Sequence, residues 1–446
     1  MKAVQTIADA RQGGLTTASS AQVLAARLRA ARERTLSFAS DLTVEQLLGL
    51  KLSIVNPPLW EIAHVGWFQE YWCLRYREEN DVARSLVASV DALYNSALAP
   101  HDTRWMLPLL PFDAMLRFLD EVLNRVLERL QREPENPALL YFSELAAAHE
   151  EMHCEAFTYT RQTHGYAAPR GGIKAVSGGG AHPGDVAITG GDYLLGARRG
   201  EGFVFDNEKW EHAVALKPFA ISRAAVTNQQ FVEFVEAGGY ARCELWCDAG
   251  WQWRTDVDAR APVYWAKRVG GWQHRIYDKV VPLSPHAAVM HVNWYEADAW
   301  CRWAGRRLPS EAEWERAAAA TPLDARGTDG KRVYPWGSQP PDGAHANLHG
   351  VCGTVAPVDA FDSGDSAWGC RQMLGNVWEW TADWFNPYPG FECDPYKEYS
   401  EPWFGNHKVL RGGCFATTAD LLRTTWRNFY TPDRRDVFAG FRTCAA

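Results

Sequence analysis

The clearest periodic pattern in the chain is the stretch FDAMLRFLDEVLNRVLERLQRE, residues 112–133. Its apolar residues recur at steps of three and four, which places them on one broad face of an α-helix: Met115, Leu116, Leu119, Val122, Leu123, Val126, Leu127 and Leu130. The PENP sequence that follows stops the helix, because proline lacks a backbone donor and clashes with the preceding turn. The pattern therefore predicts an amphipathic helix over 112–133.

Three further stretches have a similar amphipathic character, over about 20–40, 58–78 and 137–164. The second opens with Pro57 and Pro58, where the first turn of a helix tolerates proline. Four such helices predict a four-helix bundle over residues 18–165. The core of a helical bundle is a common place for a metal held by facing side chains.

The pattern changes after the predicted bundle. Residues 166–188, YAAPRGGIKAVSGGGAHPGDVAI, are rich in glycine, alanine and proline and predict a linker. Beyond them, short apolar and aromatic runs alternate with turns such as GGD, PWG and RGG, and two amphipathic segments lie at 226–237 and 293–304. Residues 189–446 therefore predict an irregular α+β domain with long loops, which are a usual place for substrate recognition.

Composition and charge exclude several classes of function. The 446 residues are 47% hydrophobic and 22% charged, as in a folded globular protein, and the net charge of −8 lacks the basic footprint of a nucleic-acid binder. The first residues lack the apolar core of a signal peptide, and no later window reaches about 18 uninterrupted apolar residues. We expect a cytoplasmic protein that does not bind membranes, with its ten scattered cysteines reduced.

The strongest candidate for chemistry is HEEMH, residues 149–153, which fits the H-E-x-x-H pattern of zinc peptidases. His149 and His153 are four residues apart, so they project from one face of the predicted helix and can bind one metal. A solvated polar face is the alternative for an isolated pair. The bundle also contains His64, in an apolar and aromatic setting where a hydrogen-bonded core histidine is the commoner case. Three candidates on two helices favour a metal site.

A zinc peptidase requires a third ligand at a defined position. The extended H-E-x-x-H-x-x-G-x-x-H form fails, because CEAFTYTRQTH follows His153. A carboxylate on a following helix is not expected either, since the chain runs into the glycine-rich segment. A peptidase is therefore a minor alternative. Three imidazoles leave coordination positions open and suit zinc, copper, iron and nickel, so the ligands alone do not name the metal.

Several motifs together carry a family resemblance. WEIAHVGWFQE, HEEMHCE and the C-terminal GNVWEW, YPGF, YKEYS, VLRGGCF and RNFYTPDRRDVFAGFR resemble the sulfoxide synthases of ergothioneine biosynthesis, over about residues 20–446. The resemblance implies a DinB-like four-helix bundle followed by an α+β domain like that of formylglycine-generating enzymes, of C-type-lectin type. LPSEAEWERAA, YPWG and GNVWEW are shared with the wider superfamily of the second domain, so they indicate fold and not chemistry.

This family uses O₂ and a non-haem Fe(II) to join hercynine, which is trimethylated histidine, to a thiol at imidazole C2. The resemblance implies three iron ligands: His64, His149 and His153. It places an acidic partner for an imidazole at Glu155, with a surface carboxylate as the alternative. It also implies a proton-donating tyrosine, for which Tyr388 is the first candidate and Tyr396 the second; an aromatic packing role is the alternative for both.

The resemblance also implies residues that bind the two substrates. Asn428 matches a residue that holds hercynine, and Phe429 stands where relatives carry Trp, so its ring offers a face to the trimethylammonium group. Relatives that use γ-glutamylcysteine have a second arginine in the loop matching APHDTRW and an aspartate further on. Here the loop keeps Arg104, whereas His101 replaces that second arginine and Tyr430 replaces the aspartate.

The loss of an arginine and an aspartate that hold a zwitterion favours a donor with fewer charges. Arg434 of PDRR remains, and Met152 stands where relatives often carry Gln. Within this family, the selenoneine synthase branch couples hercynine to a selenosugar. We therefore expect C–Se bond formation with a selenosugar, through a selenoxide. The alternative is C–S bond formation with cysteine or γ-glutamylcysteine.

Two other classes of function fit less well. A copper-dependent formylglycine-generating enzyme needs two cysteines shortly after RGG, but Cys414 is followed by FATTADLLRTTW. A non-catalytic lectin-like module leaves the three histidines unexplained. Some relatives carry a structural Ca²⁺ in the second domain, so the resemblance allows one here. The sequence leaves the oligomeric state open.

Overall fold

The computed structural model describes residues 19–174, 176, 179–322 and 330–446. The chain divides into two compact units. The first ends at His164 and includes Arg199–Phe203, and the second comprises Gly165–Arg198 and Val204–Ala446. Three residues of the predicted linker, Ala175, Ser177 and Gly178, lie outside the described residues. The last four residues of that predicted linker form a strand, because they pair with a later strand of the second unit.

The first unit is helical. Its α-helices are α1 (Ser20–Ala39), α2 (Val44–Leu48), α3 (Pro58–Glu70), α4 (Val90–Tyr94), α5 (Phe112–Arg132) and α6 (Pro137–His164). The four long helices α1, α3, α5 and α6 correspond to the four predicted segments. Helix α1 packs against α6 and α5, and α3 packs against the same two helices. The predicted apolar face of α5 is buried apart from Leu116, which is half-buried.

Helix α3 ends earlier than predicted. A π-helical turn, Tyr71–Arg75, follows it and leads into a short hairpin of β1 (Tyr76–Glu78) and β2 (Asp81–Val82). Asn80 between the two strands has a φ of 69°, a left-handed conformation that asparagine tolerates well. The hydrophobic pattern over 58–78 therefore spans two kinds of structure, because apolar residues continue past the point where the backbone turns.

The second unit is an α+β domain. Its helices are α7 (Asn228–Glu236), α8 (Asp248–Asp256), α9 (Trp294–Trp303) and α10 (Glu311–Ala319). Its strands are β3 (Asp185–Ile188), β4 (Gly191–Leu195), β5 (His212–Leu216), β6 (Phe219–Ser222), β7 (Trp265–Arg268), β8 (Gly271–Ile276), β9 (Lys279–Pro282), β10 (Arg306–Arg307), β11 (Trp378–Trp384), β12 (Lys408–Arg411), β13 (Asn428–Tyr430), β14 (Ala439–Gly440) and β15 (Cys444–Ala445). The two predicted amphipathic segments are α7 and α9.

Two four-stranded sheets organise this unit, with strand orders β10-β15-β6-β3 and β13-β12-β11-β14. Smaller sheets are formed by β4-β5 and β7-β8-β9. Helices α7, α9 and α10 each begin at a capping box, made by Thr227 with Gln230, Asn293 with Glu296, and Ser310 with Glu313. These reciprocal bonds satisfy backbone donors that the first turn of a helix leaves open.

The core of the second unit combines indoles with buried ion pairs. Trp314, Trp378 and Trp380 are fully buried. Arg442 donates to both carboxylate oxygens of Glu379, at 2.6 and 2.8 Å. A buried charge is tolerated where a partner compensates it in this way.

Within the part of the chain that the structure describes, no α-helix is long and apolar enough to cross a lipid bilayer. All ten cysteines lie in described segments and are free thiols.

Candidate metal centre

Three histidines converge inside the helical unit: His64 from α3, and His149 and His153 from α6. One ring nitrogen of each lies within 4.8 Å of the others. The Nε2 atoms of His149 and His153 are 3.2 Å apart. The i, i+4 spacing aligns these two on one face of α6, and the packing of α3 against α6 adds the third. The structure thus brings together the three ligands predicted from the sequence.

Hydrogen bonds fix which nitrogen of two rings faces the cluster. His64 Nδ1 donates to the carbonyl oxygen of Tyr94 at 2.7 Å. His153 Nδ1 donates to Oε1 of Glu61 at 2.6 Å. Because a neutral imidazole that donates from Nδ1 keeps a lone pair on Nε2, both rings are prepared to bind a cation through Nε2.

Aromatic packing holds the rings in place. Phe68 stacks on His149 with ring centroids 3.6 Å apart and an interplanar angle of 6°. Trp60 stacks on His64 with centroids 4.9 Å apart and an angle of 11°. This stacking restricts the side-chain rotamers of both histidines, so they lose little conformational entropy when a ligand binds.

Burial keeps two of the three imidazoles neutral. His64 and His149 are each 4% exposed. Burial lowers the pKa of both well below the usual value, and the electrostatic interaction with His153 lowers it further. Two Nε2 lone pairs 3.2 Å apart repel each other unless a proton or a cation lies between them. Neutral imidazole nitrogens in this arrangement fit a divalent transition metal.

Glu61 is a functional candidate that the sequence interpretation missed. It lies three residues before His64 on α3, and its carboxylate bonds to His153 on α6. The Glu-x-x-His spacing, which bundle metal sites use, was the available signal. The sequence interpretation assigned an acidic partner for an imidazole to Glu155, which stays a prediction. Glu155 is buried on α6, about 200° around the helix from His153, since successive residues turn by about 100°.

The glutamate that a peptidase would use as its base is occupied in an ion pair. Arg32 donates to both carboxylate oxygens of Glu150, at 2.8 and 3.2 Å, and both side chains are buried. The neighbouring Glu151 bonds to Arg27 and Arg34. Both glutamates of HEEMH therefore hold α6 against α1, which agrees with the rejection of the peptidase interpretation.

Two of the three first-unit residues assigned to substrate binding, Arg104 and His101, have contacts within that unit. Arg104 is buried, stands 3.8 Å over the Trp60 ring, and donates to the Ala99 carbonyl at 3.1 Å and to Asn56 Oδ1 at 2.5 Å. Burial lowers its pKa to about 10, although Glu61 opposes this effect. His101 is half-buried and donates from Nε2 to a carbonyl at 2.9 Å. Met152 is half-buried on α6.

The two candidate tyrosines have different surroundings in the second unit. Tyr388 packs in a core cluster, and its hydroxyl donates to Glu311 Oε1 at 3.2 Å beneath Arg427, which stands 4.1 Å over the ring. Tyr396 is half-buried just before the short turn Lys397–Tyr399. Burial raises the pKa of both phenols, so both keep their proton at neutral pH. The surroundings of Tyr388 correspond to the packing alternative.

The residues assigned to hercynine lie on β13, which pairs antiparallel with β12. The ring of Phe429 stacks on Phe385, with centroids 4.0 Å apart and an angle of 15°. Asn428 Oδ1 accepts a hydrogen bond from the Phe429 backbone at 2.9 Å. The edge-strand backbone and the Phe385 contact therefore hold both side chains at defined positions.

Arg434 is paired within the chain. Its Nε and Nη2 donate to the two carboxylate oxygens of Asp436, at 2.7 and 2.8 Å. Its guanidinium also stands 5.0 Å from the centre of the Tyr430 ring. Asp436 is only 3% exposed, so the carboxylate is a fixed partner of the arginine. The positive charge of Arg434 is thus balanced by a carboxylate two residues further along the chain.

Comparison with known proteins places both units. Residues 27–156 match the DinB superfamily, and residues 175–446 match the sulfatase-modifying factor enzyme 1-like domain. A hercynine oxygenase of Mycolicibacterium thermoresistibile is 37% identical over 433 residues, which cover 94% of each chain. This chain belongs to the hercynine oxygenase family. It is therefore an enzyme, an oxidoreductase, and both the predicted family resemblance and the predicted two-part fold class are confirmed.

Other relatives agree with this assignment. The hercynine oxygenase of Mycolicibacterium smegmatis is 35% identical over 437 residues, covering 94% of this chain and 98% of that protein. A formylglycine-generating enzyme of Streptomyces coelicolor is 34% identical over 321 residues, covering 63% of this chain and 95% of that protein. The hercynine oxygenases therefore match over a larger share of this chain than the formylglycine-generating enzyme does.

Proposed function

We propose that this oxygenase uses Fe(II) and O₂ to join C2 of the hercynine imidazole to the selenium of a selenosugar, giving selenoneine through a selenoxide. The observation that carries the proposal is the convergence of three imidazoles in a chain of the hercynine oxygenase family. The alternative product is the corresponding sulfoxide of cysteine or γ-glutamylcysteine, made at the same centre.

In this proposal, His64, His149 and His153 hold the iron. When bound there, Fe(II) supplies one-electron redox chemistry and open coordination positions for O₂ and the substrates. The chain supplies three neutral nitrogen ligands in a buried setting, with two of the rings oriented by Nδ1 hydrogen bonds. The net positive charge of a divalent metal held by three imidazoles favours an anionic selenolate or thiolate as its partner.

Asn428 and Phe429 are assigned to hercynine. Phe385 fixes the plane of the Phe429 ring, and an aromatic surface of fixed orientation suits a trimethylammonium group, which it attracts through the negative face of the ring. The side chain of Asn428 offers both a donor and an acceptor, which matches the polar atoms of an imidazole or a carboxylate.

The charge balance around Arg434 supports an uncharged donor. A free guanidinium would bind the carboxylate of a γ-glutamyl group through two parallel hydrogen bonds. Asp436 already occupies that geometry, and Tyr430 supplies no carboxylate for an amino group. Of the donor-binding candidates His101, Arg104 and Met152, only Arg104 is a permanent cation. Two of its nitrogens already donate hydrogen bonds within the protein. Together these features favour a sugar over a zwitterionic thiol.

Between the two tyrosines, the surroundings favour Tyr396 as the proton donor. The Tyr388 hydroxyl donates to Glu311, whose carboxylate also accepts from Arg411 and Arg427. Removing that hydroxyl from its core network would leave buried charges less well satisfied. Tyr396 is half-buried and carries its proton at neutral pH, which proton donation requires.

The test is an anaerobic reaction with each donor. The protein is loaded with Fe(II), mixed with hercynine and one of selenosugar, cysteine or γ-glutamylcysteine, and then exposed to O₂. We expect mass spectrometry to show that the hercynyl selenium adduct forms faster than either sulfur adduct. Faster turnover of γ-glutamylcysteine would refute the selenium assignment and leave the oxygenase function standing. Absence of product with every donor would refute the function as a whole.

A further inference from the structure

The cluster of three histidines is tied to a buried carboxylate. Glu61 is 2% exposed, and its Oε1 lies 2.6 Å from Nδ1 of His153. It belongs to the first turn of α3, while His153 belongs to α6, 92 positions later in the chain. One helix thus supplies both a member of the cluster, His64, and the group that orients another member on the facing helix.

The hydrogen bond determines where the lone pair of His153 points. A carboxylate oxygen accepts, so the Nδ1 atom of His153 carries a proton, and in the neutral ring the lone pair then lies on Nε2. That Nε2 atom is the one 3.2 Å from Nε2 of His149. The opposite tautomer would direct an N–H bond into the cluster and would exclude a metal from His153. The position of the carboxylate therefore decides whether this ring can be a ligand.

The surroundings of Glu61 explain how its buried charge is tolerated. Arg104 interacts electrostatically with Glu61 and stands 3.8 Å over the ring of Trp60, the residue before it. The carboxylate therefore has the favourable electrostatic influence of a guanidinium and accepts a hydrogen bond from an imidazole. A buried carboxylate with such partners avoids much of the cost of an unpaired charge, and it stays available as a strong acceptor.

We propose that Glu61 is the positioning residue of the metal centre, which fixes the Nδ1–H tautomer of His153 and supplies one negative charge next to three neutral ligands. This inference rests on the proposed metal role of the three histidines. A carboxylate that accepts from a ligating imidazole also makes the metal-bound nitrogen more basic. Loss of Glu61 is then expected to weaken metal binding without removing any ligand atom.

The experiment measures metal affinity instead of turnover. Co(II) is titrated into the apo protein, and its ligand-field absorption reports both affinity and ligand geometry. Glu61→Gln keeps an acceptor for His153 but removes the charge, and Glu61→Ala removes both. We expect the Co(II) dissociation constant to rise by about 10- to 100-fold, more for alanine than for glutamine, with an altered absorption band. Glu61→Asp, which keeps the charge, is expected to recover part of the affinity.

Glu70→Gln is the matched control. Glu70 is a buried carboxylate at the other end of α3, and it bonds to Arg75, Ser85 and the backbone of Leu86. Its substitution tests for general damage to the helix, so Co(II) affinity should stay within about twofold of the native protein. An equal loss of affinity in Glu70→Gln and Glu61→Gln would overturn the proposal.

His153→Ala separates this proposal from the metal site itself. If His153→Ala weakens Co(II) binding and Glu61→Gln leaves it unchanged, the positioning role fails and the metal centre stands. If neither variant changes the affinity, the proposed metal centre fails. Should the Glu61 variants not fold, long-range ¹H–¹⁵N correlation spectra of the native apo protein report the tautomer, assigned with His153→Ala. A neutral His153 ring with its proton on Nε2 and none on Nδ1 would overturn the proposal.

Discussion

Asp436 accepts two hydrogen bonds from Arg434 in a bidentate ion pair, at 2.7 and 2.8 Å. This geometry is the one by which arginine recognises a carboxylate of a ligand. In the proposed function, this pair links the local sequence PDRRD to the choice of donor. An arginine that is already neutralised discriminates little between a neutral sugar and an anionic peptide.

Asp436→Asn is expected to shift donor preference toward carboxylates. The substitution leaves the guanidinium with a charge to offer, so kcat/KM for γ-glutamylcysteine should rise relative to the selenosugar by about tenfold, comparable to one charge-assisted hydrogen bond. Competition between the two donors, followed by mass spectrometry, measures the ratio. Asp433→Asn, at an exposed neighbouring acid, is the control. An unchanged ratio in a folded Asp436→Asn protein would argue against Arg434 as a donor contact.

His149→Ala and His153→Ala are each expected to abolish iron binding and turnover while leaving a folded protein. Each removes one proposed nitrogen ligand but no large apolar group. Iron retained after anaerobic gel filtration and far-ultraviolet circular dichroism provide the two measurements. His345→Ala, which removes a histidine of the second unit that bonds to Asp342, should keep both iron and activity. Activity that survives both ligand substitutions would refute the metal assignment.

The two tyrosines are predicted to respond differently to removal of the hydroxyl. Tyr388→Phe should lower the free energy of unfolding by about 1–3 kcal/mol, since Glu311 loses a buried donor. Tyr396→Phe should change stability less, but it should slow the coupling or divert it to other oxidised products. Denaturant titrations and product analysis of both variants check this pair. An unchanged product distribution in Tyr396→Phe, with a changed one in Tyr388→Phe, would return the role to Tyr388.

We expect the ion pair of Arg32 with Glu150 to stabilise the folded protein. Glu150→Ala leaves a buried guanidinium without its carboxylate, which is expected to cost about 3–5 kcal/mol in the free energy of unfolding. Replacing both residues with Met should recover part of that loss, because an apolar pair carries no desolvation penalty. Urea titrations of the single and double variants measure the difference. A stable Glu150→Ala protein would contradict the importance of this pair for packing α6 on α1.

Glu296 provides a prediction for the pH dependence of stability. Burial raises the pKa of this carboxyl from 4.5 to about 7, and it accepts from Tyr240 Oη at 2.5 Å. The folded state therefore binds the proton more tightly than the unfolded state does. The resulting stabilisation is fully present below pH 4.5 and is lost as pH rises through about 7. The difference between these two values corresponds to about 3 kcal/mol.

Glu296→Gln should remove this pH dependence. Between pH 5 and pH 8, the free energy of unfolding of the variant should therefore rise relative to that of the native protein. Thermal and urea unfolding at several pH values measure it. Glu313→Gln is the matched control at the same capping position of α10. Burial raises the pKa of Glu313, but Arg307 and the cap bonds lower it overall. Its substitution should therefore remove stability that is present above the usual pKa and lost in acid. Identical pH profiles for both variants would contradict the assignment.

Much of the helical unit was predictable from the sequence. The apolar residues of α5 are spaced so that they share one face of a single helix, and the prolines at the start of α3 favour a helix N-terminus. Both signals are local in the sequence. The end of α3 was predicted too late, because its apolar pattern continues into the π-helical turn. In the second unit, α7 and α9 were predicted from their periodicity. Helices α8 and α10 were not; all nine residues of α10 are buried, so no polar face marks it.

The sequence by itself determined the local geometry of this protein: the helices with a strong period, the alignment of His149 with His153, and the motifs that indicate the family. Only the tertiary structure decided that Glu61 contacts His153 and that Tyr388 donates into a buried ion network. Spacing along one helix is set by backbone geometry, which is the same in every protein. Contacts between residues far apart in the chain depend on how the helices and strands pack, and the burial that sets their protonation arises from that packing.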